Sequence, residues 1–292
     1  MTRDSVRYEI TLRRAEVDGV SVFYREAGDP RRPTILLLHG FPSSSHQFRD
    51  LMPRLADRYH LVAPDLPGFG FTTAPLNFDY TFAGLSRTLG AFVDALGLKR
   101  YALYIFDYGA PVGLRLALER PEAISAIVSQ NGNAYEEGLS EGWGPTRAFW
   151  ADPSSAHREV MRGMLTLETT QWQYTHGAPQ DALLAPEAYW LDAALMARPG
   201  NDEIQLALIA DYASNIALYP RFHAYFRDRQ PPLLAVWGAK DPFFRPEGAR
   251  AFRRDLPKAE VHLLEAGHFA LETHARAIAG LMVDFLSRHG GG

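Results

Sequence analysis

An aspartate stands where the stretch "YIFDYGAPVG" (104–113) passes from an apolar run into a helical pattern. Asp107 is followed by Tyr108 and Gly109, and Gly113 lies within the predicted helix. A sharp strand-to-helix turn needs small residues, because the backbones crowd together there. Such a turn lifts one side chain into a cleft, and the N-terminus of the following helix stabilises negative charge. Asp107 is therefore a candidate nucleophile, and the alternative is a simple aspartate N-cap.

Further groups are spaced to complete a site around this aspartate. The segment "LLHGFP" ends an apolar run, and the amides of Phe41 and Tyr108 are candidates for a two-donor oxyanion hole. Asp241 in "WGAKDPFF" and His268 in "LLEAGHFAL" each follow an apolar strand pattern. The chain order Asp107, Asp241, His268 is the nucleophile, acid, histidine order of the α/β-hydrolase triad. We expect the three side chains to meet.

The elements that must position these residues alternate along the chain. Short apolar runs predict strands buried on both faces, and apolar residues every three or four positions predict helices. The predicted strands are 34–38, 60–64, 100–106, 123–130, 232–238 and 260–267, and the predicted helices are 43–58, 81–98, 109–120, 245–256 and 270–289. Residues 6–28 predict two antiparallel strands. This alternation predicts an α/β fold, with a mostly parallel sheet covered by helices on both faces.

One long segment interrupts the alternation. Residues 133–225 are rich in Trp and Tyr, have helical patterns and show no strand pattern. We therefore predict a core domain of residues 1–132 and 226–292 and an inserted helical cap domain of residues 133–225. An insertion after the carboxyl end of a strand lies over the place where open α/β sheets bind ligands.

The composition narrows the class of protein. The 292 residues are 47% hydrophobic and 22% charged with a formal net charge of −4, so we expect neither nucleic acid nor membrane as partner. No cysteine is present, which excludes disulfides and thiolate chemistry, and the histidines show no metal-ligand spacing. The first residues lack the apolar core of a signal peptide. We expect a cytoplasmic monomer or homodimer without metal or cofactor.

Five motifs together resemble one branch of a known superfamily. The segments "HGFP", "APDLPGFGFT", "DYGAPVG", "GAKDPF" and "EAGHF" match, in order, the landmarks of α/β-hydrolases with an aspartate nucleophile. This branch contains the epoxide hydrolases and haloalkane dehalogenases. The resemblance implies an α/β-hydrolase fold with a helical cap, no cofactor, and catalysis by Asp107, Asp241 and His268.

A carboxylate nucleophile suits displacement at an sp³ carbon, because it is already ionised and forms an alkyl ester. His268 would then take a proton from the water that attacks the ester on Asp107. Asp241 would hold the imidazole tautomer, and the oxyanion hole would stabilise the charge on the ester oxygen. The turn offers no serine nucleophile, which disfavours an ordinary esterase or lipase.

The leaving group distinguishes the two reactions. An epoxide oxygen needs a proton, which buried tyrosines supply in enzymes that resemble this chain. By this resemblance, "DYASN" favours Tyr212 as the acid, and "QWQYTHG" makes Tyr174 a candidate for a second acid. A halide needs N–H donors, and family dehalogenases carry them at two positions that hold Phe41 and Tyr108 here. Indole donors from the cap would have to replace them, and the candidates are Trp143, Trp150 and Trp172.

These residues predict a hydrolase that acts with water on a small hydrophobic substrate through an alkyl ester on Asp107. Hydrolysis of an epoxide to a diol is favoured. Haloalkane dehalogenation, or ligand binding with low turnover on the same fold, are the alternatives.

Overall fold

The sheet has eight strands in the order β1-β2-β4-β3-β5-β6-β7-β8. A computed structural model describes residues 9–289. The strands are β1 (Thr11–Val17), β2 (Val20–Ala27), β3 (Thr34–Leu38), β4 (His60–Pro64), β5 (Tyr101–Phe106), β6 (Ile124–Gln130), β7 (Leu233–Gly238) and β8 (Glu260–Leu264). β1, β2 and β4 pair antiparallel, and the other neighbours are parallel. The predicted N-terminal strand pair is confirmed, except that residues 6–8 lie outside the described part.

Helices cover both faces of this sheet, so the predicted α/β fold is confirmed. In chain order they are α1 (Met52–Leu55), α2 (Phe82–Ala95), α3 (Gly109–Glu119), α4 (Gly144–Ala151), α5 (Ser155–Arg162), α6 (Leu167–Thr175), α7 (Pro186–Met196), α8 (Asn201–Asp211), α9 (Ala213–Arg229), α10 (Pro246–Asp255) and α11 (Ala270–His289). Within residues 9–289, none of these helices is long and apolar enough to cross a membrane.

The central strands are apolar throughout because each of their faces packs against helices. Alternate side chains point to opposite faces of a strand. On β5, Leu103 and Ile105 belong to the core shared with α2 and α3, whereas Tyr104 and Phe106 belong to the core shared with α1 and α11. Burial on both faces gives the continuous apolar runs of the sequence. The catalytic candidates come after these runs, beyond the ends of the strands.

The helix predicted over residues 43–58 is wrong in its length. The structure has a 3-10 turn at Ser45–Phe48 and the short helix α1, which begins at Met52 with Pro53 in its first turn. Proline has no amide hydrogen, and its ring clashes with the preceding turn of a helix. Pro53 therefore disfavours a continuous helix through this stretch, and the chain starts a new helical turn there.

The segment between β6 and β7 is helical, as predicted. It contains α4 to α9, and all of it lies in the described range, where no strand is found between these two strands. Side chains from this segment bond to the core: Asp211 accepts from the amide of Phe82 at the start of α2 over 2.7 Å, and Gln205 donates to the carbonyl of Gly68 over 3.0 Å. We propose that this segment is the cap, with the predicted boundaries at residues 133 and 225.

Candidate active site

Asp107 occupies the turn between β5 and α3. Its backbone φ is 46°, a left-handed conformation that is costly for a residue with a Cβ atom. The turn is crowded, because a Cβ on Gly40 would lie 2.4 Å from the Asp107 side chain and one on Gly109 would lie 2.5 Å from the carbonyl oxygen of Leu38. Glycine at these two positions therefore permits the tight strand-to-helix turn that the sequence predicts.

Two backbone amides hold the carboxylate of Asp107. The amide of Phe41 donates to its Oδ1 over 2.6 Å, and the amide of Tyr108 also hydrogen bonds to the carboxylate. These are the two amides predicted as an oxyanion hole. Because the backbone fixes both donors in advance, they stabilise negative charge on this group without reorganising.

His268 lies between two carboxylates. Its Nδ1 is 2.7 Å from Oδ2 of Asp241, and its Nε2 is 3.9 Å from Oδ2 of Asp107. All three side chains are buried. The longer distance is beyond hydrogen-bond range, which leaves Nε2 beside Asp107 without a bond to it. An imidazole held in this way can accept a proton from a small molecule next to Asp107.

The orientation of Asp241 is fixed by partners other than the histidine. Its Oδ1 accepts from the amide of Phe243 over 2.7 Å, and its Oδ2 accepts from Nδ2 of Asn131 over 2.6 Å. The Oδ1 of Asn131 accepts from the amide of Gly238 over 3.0 Å. Asn131 thus joins the ends of β6 and β7 to the acid. Asn131 was not predicted from the sequence, although it directly follows a strand, which is the signal that identified Asp107.

Burial and charge shift the pKa values of the two groups that face each other. Burial raises the pKa of Asp107 to about 6, and the charge of His268 and the two amide donors oppose this rise. Burial alone would lower the pKa of His268, but the carboxylates of Asp241 and Asp107 outweigh it, so this pKa lies above its ordinary value. Each group therefore favours the charged form of the other.

Asp107 and His268 line a small cavity of about 50 Å³. The other residues of its wall are Phe41, Tyr108, Gly142, Trp143, Thr146, Met164, Gln173, Ile209, Tyr212 and Phe243. Most of these side chains are aromatic or aliphatic, which favours a small hydrophobic ligand. The predicted residues Phe41, Tyr108, Trp143 and Tyr212 thus share one cavity with Asp107 and His268.

Comparison with known proteins identifies the family. A family described as "alpha/beta hydrolase fold" matches residues 33–275. The chain belongs to this family. It is 48% identical over 276 residues to an uncharacterized hydrolase of Saccharomyces cerevisiae, YNR064C, covering 93% of this chain and 95% of the relative. It is 30% identical over 255 residues to haloalkane dehalogenase 2 of Mycobacterium bovis, covering 86% and 87%.

A solved structure with the same fold comes from Pseudomonas aeruginosa. That protein is provisionally described as an epoxide hydrolase, and it matches with a TM-score of 0.78 at 21% identity, covering 96% of each chain. At this identity the likeness establishes the fold alone. Together, the fold and the family make this chain an α/β-fold hydrolase.

Tyr212 is the tyrosine of this hydrolase that the sequence favours as the acid. Its ring lies 4.6 Å from that of Trp143 and 5.6 Å from that of Tyr108, between centroids. Its hydroxyl bonds to the hydroxyl of Tyr219. Burial raises the pKa of Tyr212 well above its usual value, and Tyr219 and Asp107 add to the rise. The hydroxyl therefore stays protonated near neutral pH, with Tyr219 as its hydrogen-bond partner.

Three residues predicted to bind substrate lie outside the cavity wall, which corrects the sequence analysis. The hydroxyl of Tyr174 donates to Oδ2 of Asp192 over 2.5 Å, and its ring stacks on Phe269 with centroids 3.8 Å apart. The indole of Trp150 donates to a backbone carbonyl of α8 over 2.8 Å. Trp172 is 42% exposed. The prediction that these three residues bind substrate is therefore not retained, because none of them lies in the cavity wall.

The cavity wall contains a polar residue that the sequence analysis missed. Gln173, not its neighbour Tyr174, lies in the wall. Successive residues of a helix point about 100° apart. The prediction was therefore one position off on α6, where Tyr174 packs in the core and Gln173 lies in the wall. Within residues 9–289 no group of three or more His, Asp or Glu side chains is arranged to hold a metal ion.

Proposed function

We propose that this hydrolase opens small epoxides to diols through an alkyl ester on Asp107. The observation that carries the proposal is the pairing, in one cavity, of a buried carboxylate with the protonated phenol of Tyr212. Epoxide opening needs both, because the carbon requires a nucleophile and the leaving oxygen requires a proton.

In the first step a carboxylate oxygen of Asp107 attacks one ring carbon. The carbon–oxygen bond of the ring breaks, its electron pair goes to the oxygen, and that oxygen takes the proton of Tyr212. The new ester has no charge on Asp107. His268 thereby loses one of the two carboxylates that raise its pKa, so its pKa falls and the neutral imidazole that the next step needs is favoured.

In the second step Nε2 of His268 takes a proton from water, and the resulting hydroxide attacks the ester carbonyl. The charge that develops on the carbonyl oxygen is stabilised by the amides of Phe41 and Tyr108. The intermediate then expels the alkoxide, which takes the proton from His268 and leaves as the diol. The proton of the regenerated carboxylic acid returns to the tyrosinate, which restores the enzyme.

Haloalkane dehalogenation is the second candidate, and two observations favour it. A relative at 30% identity is named a haloalkane dehalogenase, and Gln173 offers an unpaired amide N–H in the cavity wall. Against it, the indole N–H of Trp143 donates to the carbonyl of Phe243 over 3.1 Å, and that of Trp150 is bonded to a carbonyl as well. The indole donors that a halide requires are thus already occupied.

The test traps the ester with the variant His268→Gln, which lacks the base for the second step. The variant is incubated separately with small epoxides and small haloalkanes, and the Asp107 peptide is analysed by mass spectrometry. A mass gain equal to the whole epoxide supports the proposal. A gain equal to the alkyl group without its halogen supports dehalogenation.

Two further variants make this test specific. Asp107→Asn in the His268→Gln background should give no adduct with either class. Tyr212→Phe in the same background should slow adduct formation from epoxides about 10²-fold and leave adducts from haloalkanes unchanged, because only the epoxide oxygen needs its proton. An absence of any adduct would refute the ester route and favour the ligand-binding alternative.

A further inference from the structure

Gln173 carries a buried amide that has no partner. It lies on α6 and is 1% exposed, and its Nε2 makes no hydrogen bond in the described chain. Several other buried side-chain atoms also lack a partner, but among them only the Nε2 of Gln173 belongs to a residue of the cavity wall. Gln173, which carries the unpaired donor, and the catalytic candidates Asp107 and His268 therefore line the same small cavity.

An unpaired buried donor is costly, so its place calls for an explanation. Leaving such a group without a hydrogen bond costs about 1–3 kcal/mol. The adjacent residue on α6 shows that partners are available in this region, because the hydroxyl of Tyr174 is bonded to Asp192. A ligand in the cavity would supply the partner that the protein does not.

We propose that the amide of Gln173 donates a hydrogen bond to a second oxygen of the substrate, distinct from the oxygen that leaves. The two oxygens differ for a chemical reason. An amide N–H is too weak an acid to protonate a leaving alkoxide, whereas the phenol of Tyr212 is acidic enough. The rest of the wall is largely apolar, with Met164, Ile209 and Phe243 among its members. The substrate class is therefore a small, mostly apolar epoxide that bears an ether, carbonyl or hydroxyl oxygen.

This inference rests on the proposed function, and a matched pair of epoxides tests it. Glycidyl methyl ether and epoxypentane differ in one position, where a methylene replaces the ether oxygen. We expect kcat/KM to favour the ether about 10-fold or more, because a site built to hydrogen bond an oxygen disfavours the analogue that lacks it. Gln173→Met should bring this ratio close to one, mainly through a loss on the ether.

The chain offers a matched control on the same helix. Gln171 is exposed, so Gln171→Met makes the same substitution outside the cavity and should leave the ratio unchanged. Gln173→Met should also keep or raise the melting temperature, because it removes an unpaired buried amide. A ratio that is unchanged in Gln173→Met, or the absence of any preference in the wild type, would overturn the inference.

A binding measurement separates this inference from the proposed function. Cyclopentanone and methylenecyclopentane have the same shape, do not form the ester, and differ in the acceptor oxygen. Ligand-observed NMR should show tighter binding of the ketone to the wild type and equal binding of both to Gln173→Met. If this holds while no epoxide is consumed, Gln173 is a polar recognition residue and the proposed reaction is wrong. If epoxides are opened but neither pair is distinguished, the inference about Gln173 alone is wrong.

Discussion

In the proposed reaction Asp107 must be buried to face a hydrophobic substrate and ionised to attack it, and these needs conflict. Burial raises its pKa to about 6, while the charge of His268 and two amide donors limit the rise. The same desolvation strengthens the carboxylate as a nucleophile, because fewer water molecules must leave it before it attacks. Asp107 is therefore ionised near neutral pH, although its pKa lies not far below that pH.

The rate of ester formation should consequently depend on pH through Asp107. A carboxyl group is a nucleophile only when ionised, so kcat/KM should be level well above about pH 6 and fall about tenfold per pH unit well below it. In His268→Gln the falling limb should move to higher pH, because the neighbouring positive charge that lowers the pKa of Asp107 is gone. Single-turnover ester formation, followed by quenching and mass spectrometry, measures both profiles. Superimposable profiles would contradict the coupling between the two groups.

Among the strands and helices, the central residues of the site were predictable because they follow the ends of parallel strands. Asp107 and Asp241 follow the buried strands β5 and β7, and His268 follows the partly buried edge strand β8. Parallel strands bring their carboxyl ends to one edge of the sheet. The helical segment was less predictable, because α6 has no clear apolar face from which its orientation could be inferred. A shift of one residue there separates Gln173 in the cavity wall from Tyr174 in the core, and only packing against the other elements decides it.

Asn131 connects the ends of β6 and β7 with the loop that carries Asp241. Its φ is 48°, and its amide bridges Gly238 and Asp241. Asn131→Gly keeps the backbone conformation and removes both bonds, so the orientation of His268 should loosen. We expect ester hydrolysis to slow about tenfold while ester formation changes little, so that kcat and KM fall together and the ester accumulates. Quenched-flow mass spectrometry measures the fraction of enzyme present as ester.

The backbone contribution of this position can be separated from that of its hydrogen bonds. Asn131→Ala removes the same two bonds but also forces a residue with a Cβ into a left-handed conformation, which costs about 1–2 kcal/mol. We therefore expect Asn131→Ala to be less stable than Asn131→Gly in urea unfolding, with similar kinetics. Normal ester hydrolysis in both variants would show that Asp241 does not need this support.

For the whole molecule, the sequence alone predicts the alternating core well and the junction between helical segment and core poorly. The core follows from apolar runs, whereas the junction depends on polar contacts between residues far apart in the chain. There, Tyr174 of α6 donates to Asp192 of α7 within the helical segment and stacks on Phe269 of the core, and Glu272 of α11 forms a bidentate pair with Arg49 on the core side over 2.6 and 3.0 Å. Burial raises the pKa of Asp192 to about 8, the bond from Tyr174 opposes the rise, and Glu272 adds to it.

This junction should make the stability of the whole protein depend on pH. The folded-state pKa of Asp192 is above its unfolded value, so the folded protein binds an extra proton between about pH 4 and about pH 8. The contribution of Asp192 is fully present below this window and is lost as the pH rises through it, by up to about 1.4 kcal/mol per pH unit, and it levels off above the window.

Asp192→Asn removes this titration and keeps an oxygen that accepts from Tyr174. We expect the free energy of unfolding of Asp192→Asn, relative to the wild type, to increase from about pH 5 to about pH 8 and then to level off. Urea titrations across this range measure the difference. Asp181→Asn is the matched control, because Asp181 is exposed in the loop before α7, and it should leave the pH dependence of the wild type unchanged. If Asp192→Asn tracks the wild type at every pH, Asp192 does not carry the extra proton.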